Sequence, residues 1–565
     1  MAEQGQPLSS WKEISSYLGR TVRTCQRLEA AGLPVHRLDG SPKAHVFAYP
    51  RELDDWLARK VNERGQAGKR RHRLLFMSAA TAAVAAAAAF FLIVLRPGPD
   101  ARSIAILARD LSPRRGFEYV PDQIAESIRS GLMRVEGIKV AGERSSEAVG
   151  RDRKLSERDI GRILKVANLL VVSVTVDGDD LRVIANLVST KDGYQKWGRI
   201  YEEPFEDISG VQDRIMASIV EQLKVVLRPG DKSGPRRPLP ENFIAYEFYM
   251  KGRDLLGRPW PGAPQQALGF FEQALAQAPH FALAYAGIAR AYVNMVDQIL
   301  VPAAEGFPKA GLAVKSALDL DPDLADAHAL NAWLRFQYDY DGGAAEKSFR
   351  RALELKPGDA LTRGTYAAFL LSRGKLKEAR AEINVAIAAD PLMPLLHAYA
   401  MWIHLSSGQS QEVLQEFSRV QQIEQDLEFA YFFAGLAYLD LGHLEKAEKM
   451  FERGMRLPRT PARCDAGLLV CHLKKGEREK AEALYERMLK DREKKFVSPA
   501  MLAWGAAALG DGDGAFEWFD EAYRARDPQL LFAQVYARAF APDISRDPRF
   551  LAVTDKLGLP PRSAK

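Results

Sequence analysis

Apolar and polar positions follow three successive rhythms along this chain. The first is short and capped. Ser10-Trp11-Lys12-Glu13 has the form of a capping box, in which a hydroxyl and a carboxylate satisfy free amides at a helix start, and predicts a helix to about Leu18. Gly19 ends it, Thr21 can cap a second helix over 22–31, and Gly32 and Pro34 close that one. Val22, Cys25 and Leu28 recur at helical spacing and are expected to face Trp11, Ile14 and Leu18, which turns Arg23, Thr24, Gln26 and Arg27 outward. Two extended runs, 35–38 and 45–49, flank the turn-forming stretch Asp39-Gly40-Ser41-Pro42-Lys43, and Arg51 to Leu57 predicts a third helix.

The second rhythm is an absence of polarity. Leu74 to Leu95 gives 22 consecutive uncharged residues, and about 20 suffice to cross a bilayer. A cleaved signal peptide and a buried helix are the competing readings; a charged leader of 73 residues argues against the former. Lys69, Arg70, Arg71 and Arg73 precede the span, while only Arg96 and Arg102 follow closely, so the N-terminus is expected in the cytoplasm and the C-terminal region outside it. Residues 96–227 then alternate strands with helices. Strands are expected at 103–107, 138–141, 169–176, 181–188 and 195–201, and helices at 121–133, 157–165 and 208–226. Asp177-Gly178-Asp179-Asp180 is read as a hairpin turn rather than a metal loop.

Beyond a Pro- and Gly-rich linker, 228–240, the third rhythm repeats. A small residue, a large apolar residue four further on and a small residue three beyond that recur, often with Pro five later. Ala267/Phe271/Ala274/Pro279, Ala310/Val314/Ala317/Pro322, Ala345/Phe349/Ala352/Pro357 and Ala379/Ile383/Ala386/Pro391 show it in full. Val413/Phe417/Val420, Ala447/Phe451/Gly454, Ala481/Tyr485/Met488 and Ala515/Phe519/Ala522 continue it, the last seven starts lying 34 or 35 apart. This is the tetratricopeptide signature: about eight helix pairs over 241–545, followed by a tail, 546–565. The first interval, 43, predicts an inserted loop over 300–308. Tyr246, Phe271, Tyr285, Tyr292, Trp402, Tyr431 and Tyr438 are expected to pack between repeats rather than to form a ligand cage.

Charge changes the picture only at the N-terminus. The chain carries 79 Lys+Arg and 73 Asp+Glu, and residues 1–73, with 14 basic and 8 acidic side chains, hold the whole excess of six. A polyanion or an anionic surface is the partner such an excess attracts. Three cysteines exclude a disulfide framework and a four-cysteine zinc site. No phosphate-binding loop, zinc-protease motif, nucleophile elbow or kinase signature is present, so the chain is not read as an enzyme, and neither a cofactor nor a metal is expected. Asp511-Gly512-Asp513-Gly514 falls at a turn between helices.

Residues 1–60 resemble the winged helix-turn-helix family of MerR and excisionase type through Trp11-Lys12-Glu13-Ile14, Tyr17-Leu18-Gly19, Thr21 to Glu29, Gly32-Leu33-Pro34-Val35 and Glu52 to Leu57. The resemblance implies double-stranded DNA as partner, contacted by Arg20, Arg23, Thr24, Arg27 and the wing's Lys43. A homodimer is expected, because one short recognition helix reads few base pairs. Residues 96–227 resemble the TolB-amino-terminal-like domain through Ser103 to Leu107, Asp159-Ile160-Gly161, the Asp177 hairpin and Gly193 to Tyr201; Ala108-Arg109-Asp110 departs from that pattern. The whole is therefore expected to be multidomain and mainly α. It comprises a winged helix-turn-helix, a basic juxtamembrane segment (61–73), one transmembrane helix (74–95), a small α/β domain and a right-handed solenoid that takes a protein or peptide partner. The expected function is a membrane-anchored transcriptional regulator of ToxR or CadC-like arrangement in the cytoplasmic membrane; the alternative is a membrane-anchored scaffold that does not bind DNA.

Overall fold

The computed structural model describes residues 6–38, 45–60, 99–112, 119–135, 137–152, 154–224, 243–256, 262–298, 300–457, 462–494 and 496–559. Two units result, Met1–Gly98 and Pro99–Lys565. The expected span 74–95, the basic segment before it, the linker 228–240 and Lys43 lie outside the described residues. Among the described residues no helix is long and apolar enough to cross a membrane.

In the first unit, helix α1 (Trp11–Tyr17) starts as its sequence predicts. The Glu13 amide donates to Ser10 Oγ at 3.2 Å, and the Glu13 carboxylate reaches back to the amide of Ser9 at 2.8 Å. Gly19 takes the left-handed conformation, φ +59°, which turns the chain into α2 (Val22–Glu29). That helix ends two residues earlier than expected, because the Ala31 and Gly32 amides fold back on the Leu28 and Glu29 carbonyls. β1 (His36–Arg37) pairs antiparallel with β2 (Val46–Phe47), and α3 (50–60) closes a core of Ile14, Cys25, Leu33, Val46, Ala48, Leu53 and Trp56. Val22 was expected in that core; it is 37% exposed instead.

The second unit begins with a five-stranded sheet ordered β4-β3-β5-β6-β7, from β3 (Ser103–Asp110), β4 (Lys139–Val140), β5 (Asn168–Asp177), β6 (Asp180–Ser189) and β7 (Gln195–Pro204). β3 runs parallel to β4 and β5, and the other neighbours are antiparallel. The Asp177–Asp180 segment is the expected hairpin turn, Asp177 pairing with Asp180 and Gly178 at φ +66°. α4 (Val120–Leu132) and α7 (Ile208–Gln222) cover one face, while α5 (Glu143–Arg151) and α6 (Glu157–Leu164) pack on the other. α5 has no counterpart in the sequence expectation.

Among the described residues eight antiparallel helix pairs follow, from Phe243–Leu256 with Ala263–Gln277 to Pro499–Leu509 with Gly512–Arg524. The recurring small and large residues meet where two helices cross: Ala345, Phe349 and Ala352 are all at most 1% exposed. Gly374, Gly408, Gly442, Gly476 and Gly510 all sit at positive φ between the helices of a pair, the position that a left-handed helix end reserves for glycine. Of the loop expected over 300–308, residues 300–302 lie outside the helices, and 303–308 are helical: the pair is Ala282–Asp297 and Ala303–Leu320, with Pro308 inside the latter. The expected tail is also structured: Pro548–Lys556 is a helix whose Phe550 is buried against Trp504 and Phe519.

Candidate binding cavity

The first helices of successive pairs supply the inner wall of a cavity, and two other segments close it. After the eighth pair the chain turns inward through Pro528–Phe532 and the helix Ala533–Phe540. Phe532 stacks on Trp402 of the fifth pair, ring centroids 4.0 Å apart, and Arg538 donates to the Leu405 carbonyl at 3.1 Å. Tyr340 of the third pair stacks on Tyr523 of the eighth at 5.7 Å, so the superhelix meets itself. Trp402 is thus buried as expected, at 3% exposure, but by the returning C-terminal segment rather than by a neighbouring repeat alone.

The second closure comes from α5. Asp390, at the turn after the fourth pair, accepts hydrogen bonds from the Ser145 amide at 2.9 Å and from the Ser145 hydroxyl, capping the first turn of α5. The Gly142 amide donates to the Ala389 carbonyl at 2.7 Å, and a Cβ at Gly142 would collide with the Asp390 carboxylate. Arg253 of the first pair reaches Glu143 at 2.5 Å. On α4, burial works to raise the Glu126 carboxyl, but Lys356, Arg129 and Arg253 outweigh it and hold the group ionised. The α/β domain and the solenoid are therefore joined by buried polar contacts, and between them lies a cavity of about 1320 Å³.

Among the described residues, ten carboxylates and six Lys or Arg side chains line it. Most of the cations are already committed: Arg463 to Glu428 at 2.7 Å, Arg253 to Glu143, Arg151 to Glu147 at 3.6 Å, and Lys251 to Glu247. Asp527 is satisfied by Ser498 Oγ at 2.5 Å and by the amides of Ala500 and Gln529 at 3.1 and 3.0 Å. Asp297, at the end of its helix, has no ion pair or hydrogen bond among the described residues. It keeps surface open to the cavity while protein encloses the cavity itself, and this burial raises its carboxyl to about 7 against the partial opposition of Arg290 and Arg463. Glu147 is likewise pushed to about 7, by burial first and then by Glu143. Gln337, only 4% exposed, is among the lining residues, and its amide oxygen, like that of Gln298, is buried with no hydrogen-bond partner among the described residues.

In the first unit Arg20, Arg23 and Arg27 are exposed on and just before α2. Thr24 differs: it is half-buried, and its hydroxyl lies 2.8 Å from Thr21 Oγ1 within the helix cap. Arg37 of β1 is drawn back onto Glu29, Nη2 lying 2.9 and 3.1 Å from its two carboxylate oxygens, which ties the wing to the end of α2. Glu448, His472 and Glu477 bring potential metal-ligand atoms within 4.8 Å of one another, but Lys475 lies 2.8 Å from Glu448 and Lys480 3.0 Å from Glu477, so that cluster is already neutralised.

Sequence reasoning did not find the cavity residues. Asp297, Gln298 and Gln337 stand at polar positions of amphipathic helices, with no local mark to separate them from a solvated face. α5 went unseen because its N-cap is Gly142, which offers no side-chain cap, and the carboxylate that caps its first turn, Asp390, lies far along the chain.

Tetratricopeptide-repeat family profiles match residues 338–399 and 430–461. A protein of Rhizobium meliloti (strain 1021) named "Putative adenylate cyclase 3" is 26% identical over 245 residues, 42% of this chain. The chain matches about two-fifths of the length of that relative, 41%. Among solved structures, PilF of Pseudomonas aeruginosa is 18% identical over 38% of this chain and 91% of its own, with a TM-score of 0.30. The human IFIT1 dimer with m7Gppp-AAAA is 17% identical over 56% of this chain and 78% of its own, with a TM-score of 0.37. The C-terminal half is a tetratricopeptide array, a repeat class that binds protein and peptide partners on its concave surface.

Proposed function

We propose that this chain is a tetratricopeptide-repeat binding scaffold whose partner inserts a segment into the cavity enclosed by the solenoid, α5 and the C-terminal return. The observation that carries this reading is a cavity of about 1320 Å³ lined by the first helices of successive pairs, by α5 and by the C-terminal return. To test it, peptides are selected on the full chain and their affinity is compared with that for Asn294→Trp, which fills the cavity from the second pair. A loss of about tenfold or more with unchanged helix content supports the reading. Unchanged affinity places the partner on the outer face and sinks it.

A second reading adds DNA binding by the first unit, tethered to a membrane through 74–95. Helix, turn, helix and a paired wing, with Arg20, Arg23 and Arg27 exposed, favour it. Binding of the full chain to duplex DNA that falls steeply with salt supports this addition, and no binding at low salt rejects it. Reporter fusions at the two ends test the tether: both in one compartment rules it out.

A further inference from the structure

The cavity has a preference in charge that the repeat array alone does not imply. Among the described residues, an anion entering it would meet ten carboxylates against six cations, and four of those cations are tied to carboxylates within the lining. A cation would meet Asp297, whose negative charge is not offset by any ion pair among the described residues. Two aromatic residues line the same cavity: Trp333, and Tyr399, which lies close enough to Asp297 to feel its charge. Carboxylate and aromatic ring are two surfaces that bind an ammonium or guanidinium group on an apolar stem.

We propose that the cavity binds a ligand bearing such a group, recognised through Asp297 and with its stem against Trp333 and Tyr399. This rests on the reading of the cavity as the binding site. The group arrives either as a free amine or on a lysine or arginine side chain of a peptide. Asp297 accepts the charged hydrogen bond, and Arg290, seven residues earlier on the same helix, limits the net charge the site tolerates.

The test is calorimetric titration of the full chain at about pH 8 and near-physiological salt, where Asp297 is ionised and nonspecific charge attraction is screened. Spermidine probes the free amine, a trilysine peptide the side chain, its fully acetylated form the neutral control, and glutarate the anion. Saturable binding of spermidine or trilysine, weakened about tenfold or more by Asp297→Asn and absent for the acetylated peptide and glutarate, is the expected result. Spermidine alone identifies a free amine, and trilysine alone a peptide side chain. Binding of neither, equal binding of glutarate, or indifference to Asp297→Asn overturns the proposal. If neither amine binds while selected peptides still bind and are blocked by Asn294→Trp, the cavity reading survives and the cation preference falls.

Discussion

The two units handle charge in opposite ways. In the first, Arg20, Arg23 and Arg27 stand in solvent around a core of seven buried apolar residues, so their charge acts outward at long range and costs the fold little. In the second, charge is turned inward: Glu428 and Arg463 pair at 8% and 10% side-chain exposure, and Asp297 and Glu147 face an enclosed space that raises their carboxyls to about 7. Charge in the first unit is thus ready to answer salt and charge in the second pH, because the first set stands in open solvent while surrounding protein displaces part of the solvent around the second.

The sharpest way to break this contrast is to remove one partner of a buried pair. Glu428→Ala leaves the Arg463 guanidinium uncompensated and is expected to cost the second unit about 3–5 kcal/mol, read as a fall in its unfolding midpoint; Glu428→Leu with Arg463→Met restores most of it. Next comes the junction between domain and solenoid. Asp390→Ala strips the acceptor from the Ser145 amide and hydroxyl and should cost about 1–3 kcal/mol, with hydrogen exchange rising first in Glu143–Arg151.

A smaller effect reads the sign of the pH response. Asp297 has a raised carboxyl, so the folded state holds its proton while the unfolded chain has lost it; its contribution makes stability fall as pH rises from about 4 to about 7 and stay level above. Asp297→Asn should flatten that stretch of the midpoint-against-pH curve and raise stability at about pH 8, and a curve unchanged in shape would show that the carboxyl is not perturbed. Arg290 and Arg463 act on the same carboxyl and Tyr399 feels it, so their variants shift the midpoint of the response without reversing its sign. Smallest of all, Arg23→Ala with Arg27→Ala should leave the first unit's stability within about 0.5 kcal/mol of the parent. If duplex DNA is its partner, the same pair flattens the salt dependence of binding by up to about two charges.

What could be read from residues alone was whatever repeats or caps locally. The recurring small, large and small residues placed the helix pairs, Gly178 marked a turn that the backbone takes at positive φ, and Ser10, Thr21 and Gly19 framed α1 and α2. Misreadings fell where local and distant forces compete. Val22 has helix-core spacing yet stands exposed, residues 303–308 are helix where a loop was expected, and α5 begins at a glycine whose first turn Asp390 caps.

Local order along the chain therefore determined the helical array, the hairpin and the outward arginines, since spacing, capping and turn geometry act within a few residues. Only the tertiary structure decided that Trp402 would be covered by Phe532, that Asp390 would hold Ser145, and that Asp297 would face an enclosed space. These juxtapositions join residues more than a hundred positions apart, and at such separations it is burial and charge compensation, summed over the folded chain, that choose the neighbours.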